Sequence, residues 1–370
     1  MAKKPGQKVR YAVVGLGHIA QVAVLPAFAH AKQNSILAAL ISGSRTKLKE
    51  LSRRYRVEHT YTYEQYDDCL KSGAIDAVYI ALPNSMHAEY SIRAAQAGIH
   101  VLCEKPMAVA EIECMAMIRA AQKHRIKLMV AYRLHFEEAN LKAVELVKSG
   151  KLGPARFFYS AFALQVRPGN IRTKPELGGG TLYDLGVYCI NAARYLFHDE
   201  PIEVFAYSAA RDDPRFKNID EMTAGVLRFP RERLASFTAS FGAADVSMYE
   251  VVGTNGTVRL DPAYEYAFPL KLFIAIDGKT RSQTFPKRDQ FAPELLYFSD
   301  CVLKNKEPEP SGADGLADVR AIEALYRSAK THKPVRVRPV TVKKRPRLKQ
   351  EKRRPPVTKP ALVQVKSGSV

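Results

Sequence analysis

The 370-residue chain has no tryptophan, only five cysteines, and no apolar run long enough to span a bilayer. Cys69, Cys103, Cys114, Cys189 and Cys301 are odd in number, scattered and without metal-ligand spacing. That argues against a disulfide framework and against a metal site, and it reads as reduced, buried thiols in a cytoplasmic protein. The first ten residues are basic and polar and leave no room for a signal peptide's apolar segment. Zinc spacing and aromatic RNA-binding signatures are also missing, so the folded part does not point to nucleic acid. Acids are scarce at one end. Residues 331–370 hold thirteen Lys/Arg and one acid, Glu351, which is +12 of the total +20. The other 330 residues hold 44 Lys/Arg against 36 acids and are only mildly basic. Basic runs with interspersed prolines and few apolar groups predict a disordered tail over 339–370. It is either a solubilising appendage or the one part able to touch nucleic acid, by charge alone.

What is present suffices for two domains: 370 residues, 46% of them hydrophobic. Residues 11–20 read Tyr-Ala-Val-Val-Gly-Leu-Gly-His-Ile-Ala. An apolar strand (9–14) runs into Gly15 and Gly17, and an apolar helix (19–31) begins around Ile19 and Ala20. This is the G-x-G-x-x-G/A dinucleotide pattern, with Gly15 for the tight turn and Gly17 for close backbone approach to a pyrophosphate. Ala20 allows helix–strand packing, and the helix N-terminus faces the phosphates beside His18 and Ile19. Strands at 36–41, 74–82, 100–103 and 127–131 alternate with helices at 48–55, 89–97 and 109–124. That alternation predicts a doubly wound parallel sheet, an α/β domain over 9–133 preceded by a short arm, 1–8.

An NAD site usually places an acid at the end of the second strand, to hold the ribose 2′-hydroxyl. Here the chain reads Ser42-Gly43-Ser44-Arg45-Thr46-Lys47. With no acid to repel a 2′-phosphate, and Ser42, Ser44 and Arg45 able to bind one, NADP is favoured over NAD.

Two further segments carry chemistry. Cys103-Glu104-Lys105-Pro106 ends a strand at the carboxyl edge of the sheet, where ligands bind in open α/β folds. A lysine there can donate to a substrate hydroxyl or relay its proton, and Pro106 fixes the backbone and admits a cis bond. Read without context, Glu104 and Lys105 form a surface ion pair. Gly178-Gly179-Gly180 precedes a helix on which Asp184 and Tyr188 stand four apart and share a face, with Leu182, Leu185, Cys189 and Leu196 as the buried stripe. An acid and a phenol projecting together suit polyol binding and proton transfer, although a tyrosine at helical spacing is also an ordinary core residue.

Taken together, the fingerprint 15–20, the loop Leu82-Pro83-Asn84-Ser85-Met86-His87-Ala88-Glu89, the Glu104-Lys105-Pro106 triplet, Tyr132-Arg133 and residues 178–195 resemble the Gfo/Idh/MocA-like oxidoreductase family. Within it the glucose–fructose oxidoreductase branch is the most similar. The resemblance covers roughly residues 8–335. It implies that Lys105 lies near the nicotinamide and the reacting carbon, and that Asp184 binds substrate hydroxyls. Many relatives place histidine four residues after that acid. This chain has Tyr188, and the branch it resembles uses tyrosine there as the acid/base. A lysine beside a tyrosine favours the phenolate. Leu82, Pro83, Asn84, His87, Glu104, Arg133 and Arg172 are implied around the cofactor. The absence of tryptophan removes an aromatic often found in relatives near the Gly-rich segment.

From residue 134 onward a helix (137–148) leads into alternating segments at 154–165, 203–209, 222–229, 233–241 and 248–253, with a tight turn at Gly253-Thr254-Asn255-Gly256 and a closing helix at 315–330. This predicts an α+β domain over 134–338 with a large, mostly antiparallel open sheet. The resemblance implies a homodimer or homotetramer built on it. The sequence thus supports an NADP-dependent sugar or polyol oxidoreductase. Its rival is a non-catalytic dinucleotide-binding regulator whose basic tail is an interaction arm.

Overall fold

The structure is a computed structural model and describes residues 7–365. Residues 1–6 of the expected N-terminal arm and the last five residues of the tail lie outside them. β1 (Val9–Val14), β2 (Ser35–Ile41), β3 (His59–Tyr61), β4 (Ala77–Ile80), β5 (His100–Glu104) and β6 (Leu128–Ala131) form one sheet in the order β3-β2-β1-β4-β5-β6, all pairs parallel. All four residues of β4 are buried, as a strand covered on both faces requires. Strand order reverses between β1 and β4, which opens a crevice beyond their carboxyl ends. The Gly15 loop, Ser42, Lys105 and Tyr132 each follow the last residue of a strand, Leu82 comes two residues after β4, and all share that one edge.

Three local features differ from the sequence reading. β3 is a three-residue edge strand with exposed polar residues, and the helix Tyr66–Lys71 spans six residues. Both are too short to show a period. The segment after Gly17 is helical but not uniformly α: a π segment (Ala20–Val24) passes into Leu25–Ala27 and a 3-10 turn (Phe28–His30). Pro26 explains this, because it has no N–H and its ring crowds the carbonyl four residues back. The helix Ala292–Leu303 was not foreseen, and it crosses the expected domain division. It returns to the first domain and packs on β1 and β2, with Tyr11 Oη 2.7 Å from Ser299 Oγ.

The second sheet contains β7 (Ala155–Ala163), β8 (Glu203–Ala209), β9 (Met222–Phe229), β10 (Arg233–Ser240), β11 (Val246–Gly253), β12 (Gly256–Leu260), β13 (Leu270–Ile276), β14 (Lys279–Phe285) and β15 (Val335–Arg336). Their order is β14-β13-β12-β11-β7-β10-β9-β8-β15, antiparallel except for β7 with β10. The helices Glu138–Lys148, Val187–Phe197 and Gly312–Thr331 pack on one face. The alternation along β7 is sharp, since Phe158 is 1% exposed while Phe157 and Tyr159 are 44% and 38% exposed.

The tail does not behave as expected from its composition. Its described part is laid over the body. Val337 is hydrogen-bonded to Ile202, Arg345 pairs with Glu200, and Gln350 is buried against Glu309. Arg353 then pairs with Glu138, Arg354 donates to the His30 carbonyl, and Val363 is buried. Composition alone missed this, because the partners are buried or half-buried acids and carbonyls on two domains, distant in sequence.

Candidate active site

The turn after β1 is set by backbone geometry. Gly15 has φ +92°, and a Cβ there would lie 2.5 Å from the Ala81 carbonyl oxygen, so only glycine fits. A Cβ on Gly17 would meet nothing within 4 Å. The protein itself therefore leaves this position open. The space lies at the start of a helix, where unpaired N–H groups face outward. That combination of an open cradle and helix N-terminus fits a diphosphate. His18 and Ile19 line it, half-buried. Burial holds His18 below its usual pKa, and the positive charges of Arg172 and Lys359 lower it further.

Beside it, after β2, Ser42 is buried and accepts from the Ser44 amide, and Ser44 caps the helix Arg45–Tyr55 by accepting from the Lys47 amide. Arg45 is exposed at that helix's first position. On the other side, Leu82 and Pro83 follow β4, and Asn84 Nδ2 donates to the Gly178 carbonyl at 2.8 Å, tying the two domains together.

The reactive group of residues meets at the end of β5. Lys105 follows Glu104, the last residue of that strand, and its bond to Pro106 is cis. Its Nζ donates to Asp184 Oδ1 at 3.2 Å and to the Asp184 carbonyl at 3.0 Å. Arg172 Nε pairs with the other carboxylate oxygen at 2.5 Å. Burial disfavours the Asp184 charge, but Arg172 and Lys105 outweigh it and hold its pKa down at about 2. Burial likewise opposes the Lys105 charge, and Asp184, Tyr188 and Glu104 outweigh it, raising its pKa. Both groups are thus charged at neutral pH. Lys105 Nζ stands 4.7 Å from the Tyr188 ring centroid. A small cavity is lined by Lys105, Arg133, Tyr188 and Asn191. Asp184 and Tyr188 do sit together as the spacing predicts, although a π segment (Leu182–Gly186) widens the turn that holds Asp184.

Three of the residues expected around the cofactor have side chains held by other protein groups. Arg133 is buried beneath Tyr188: its Nη2 lies 3.3 Å from the Tyr188 hydroxyl and it also donates to the Tyr264 carbonyl and Gln290. Its guanidinium carbon lies 5.1 Å from the centre of the Tyr188 ring. His87 is fully buried with its two nitrogens 2.8 and 2.9 Å from the Pro106 and Leu82 carbonyls, so it joins two loops of the site from behind. Glu104 is not in a surface ion pair. It is buried and accepts from Tyr79 Oη at 2.7 Å, and burial raises its pKa despite Lys105. The sequence reading also missed a buried network that fixes the Tyr188 helix. Asn191 joins His135 to Asp318, and Asp318 accepts from Tyr132 and Arg194. Its members come from three separated segments, and only tertiary contact reveals them.

Comparison with known proteins agrees with this architecture. Residues 9–132 match the oxidoreductase family with an NAD-binding Rossmann fold, and residues 140–259 match the Gfo/Idh/MocA C-terminal domain. The chain is 33% identical over 336 residues to a D-xylose 1-dehydrogenase (NADP(+)) of Haloarcula marismortui, covering 89% of this chain and 93% of that one. A second such enzyme, of Haloferax volcanii, is 30% identical over 325 residues, covering 87% of this chain and 97% of that one. The crystal structure of an aldose-aldose oxidoreductase from Caulobacter crescentus, complexed with glycerol, matches with TM-score 0.85 and 38% identity, covering 89% of this chain and 100% of that one. The chain belongs to the Gfo/Idh/MocA family of oxidoreductases.

Proposed function

We propose that this chain is an NADP-dependent oxidoreductase that moves hydride between the nicotinamide and a sugar or polyol, at an aldose C1 or a carbonyl carbon. The observation that carries the reading is the Lys105–Asp184–Tyr188 cluster at the same sheet edge as the open Gly17 cradle. The dinucleotide supplies the hydride chemistry when bound. Asp184, held as an anion, accepts hydrogen bonds from sugar hydroxyls and fixes the ring. Tyr188 gives or takes the hydroxyl proton of the reacting carbon. Lys105, held charged, and Arg133 stabilise negative charge on the phenol oxygen as that proton moves. Ser42, Ser44 and Arg45 favour a 2′-phosphate because no acid stands among them to repel it. The D-xylose and aldose substrates named for the relatives support a sugar for this chain too.

The apolar outer face of the large sheet supports a homodimer or homotetramer. Five free, buried cysteines support a reducing, cytoplasmic setting. Tyr188→Phe tests the mechanism directly. The variant is expected to bind NADPH as the parent does while turnover on its sugar falls by about 100-fold or more. Parental turnover in that variant would remove Tyr188 as the proton carrier.

A further inference from the structure

The last described stretch of the tail is seated on the nucleotide edge itself. Gln21, fully buried one turn into the fingerprint helix, donates from Nε2 to the Leu16 carbonyl inside the Gly-Leu-Gly turn and to the Val363 carbonyl, both at 3.0 Å. Its Oε1 accepts from the Val363 amide at 2.8 Å. The Val363 side chain is 4% exposed and lies in the first domain's core. One residue further, Gln364 Oε1 accepts from Ser44 Oγ at 2.7 Å, and Arg54 donates to the Ala361 carbonyl at 2.6 Å. The same few residues therefore grip both the turn expected to hold a diphosphate and the serine expected to hold a ribose phosphate. Those two loops are neighbours, since the Gly15 amide donates to the Ile41 carbonyl at 3.0 Å.

We propose that residues 354–364 form a strap that is one wall of the dinucleotide site and slows release of the bound cofactor, with Gln364 beside the 2′-phosphate. This rests on the reading of the nucleotide site above. The charge pattern favours retention over competition. The strap brings Lys359 into the positive field around His18, which attracts phosphates rather than repelling them. It is anchored through Gln21 and Val363, which leaves the open space at Gly17 unfilled. A strap that favours bound dinucleotide must be favoured by it in return, because coupling between two binding events is reciprocal.

The test is the release of NADPH from the full-length protein, followed by nucleotide fluorescence during a chase with excess NADP+. Two full-length variants are compared with the parent. Val363→Asp puts a carboxylate into an apolar seat and unseats the strap. It is expected to release NADPH about tenfold faster or more, the equivalent of losing one buried aliphatic side chain. Gln364→Glu keeps the anchor but sets an anion beside Ser44. It is expected to weaken NADPH about tenfold and to change NADH by less than about twofold. Unchanged or slower release from folded Val363→Asp overturns the strap, and slower release marks a competitor instead. If Val363→Asp does not fold, Gln364→Glu decides alone, and equal effects on the two nucleotides overturn the placement. Absence of NADPH binding by the parent itself would overturn the nucleotide-site reading and the strap with it.

Discussion

Asp184 sets the charge balance of the site. Burial opposes its ionisation, yet Arg172 and Lys105 hold its pKa at about 2, below the free value of 3.8. A carboxylate depressed in the folded state adds stability that is fully present above its unfolded pKa and is lost as pH falls through the folded one. Asp184→Asn should therefore destabilise the protein at neutral pH, by about 1.5–3 kcal/mol for lost charged hydrogen bonds. Thermal melts should show the gap to the parent narrowing as pH drops below about 4. A gap still undiminished at about pH 2 would mean that it does not come from the Asp184 charge and its pairing with Arg172 and Lys105. The placement of Asp184 and Tyr188 on either side of Lys105 was legible in part, from their spacing of four. The position of Arg133 under that phenol was not, since Tyr264 and Gln290, which hold it, lie more than a hundred residues away.

The element proposed to govern cofactor binding is the turn from β1 into its helix. Its two glycines serve different masters, and the structure separates them. Gly15→Ala would place a methyl 2.5 Å from the Ala81 oxygen at φ +92°. It should lose about 1–3 kcal/mol of stability from backbone strain, more from the clash, and NADPH binding with it. Gly17→Ala meets no protein atom within 4 Å. Its stability should stay within about 0.5 kcal/mol of the parent, while NADPH affinity falls by about tenfold or more. Calorimetric melting and nucleotide titration of the two variants separate the effects. A Gly17→Ala protein with full affinity would show that no ligand approaches that backbone. The strand and the glycines were readable because turn chemistry is local. The π segment that follows was not, because the pattern of apolar residues is the same for a wound and an underwound turn.

At the scale of the whole molecule, the large sheet presents apolar groups on the face its helices leave uncovered. Phe157, Tyr159, Tyr207, Val226 and Leu234 are all exposed there. A face of this kind suits self-association. Leu234, 48% exposed on β10, is a good probe. Leu234→Glu should shift the sedimentation profile at micromolar concentration toward a smaller species, with little change in melting temperature. An unchanged profile would mean that this face does not mediate self-association. The tail matters at this scale too. With its arginines paired to Glu200 and Glu138, it is committed to the body. That weakens the reading in which it reaches out as an interaction arm.

Local chemistry in the chain was enough to determine the parallel sheet, the glycine turn after β1 and the spacing that sets Asp184 and Tyr188 on one helix face. Each of these depends on periodicity, turn stereochemistry or short spacing, which neighbours in sequence dictate. Tertiary structure alone decided that Arg133 lies under the phenol, that His87 and Glu104 face inward, and that helix Ala292–Leu303 completes the first domain's core. It also decided that a basic, proline-rich tail lies against the nucleotide edge. The tail's own composition predicts disorder, and only the buried acids, the Gln21 amide and the apolar seat for Val363, all contributed by distant segments, give it somewhere to go.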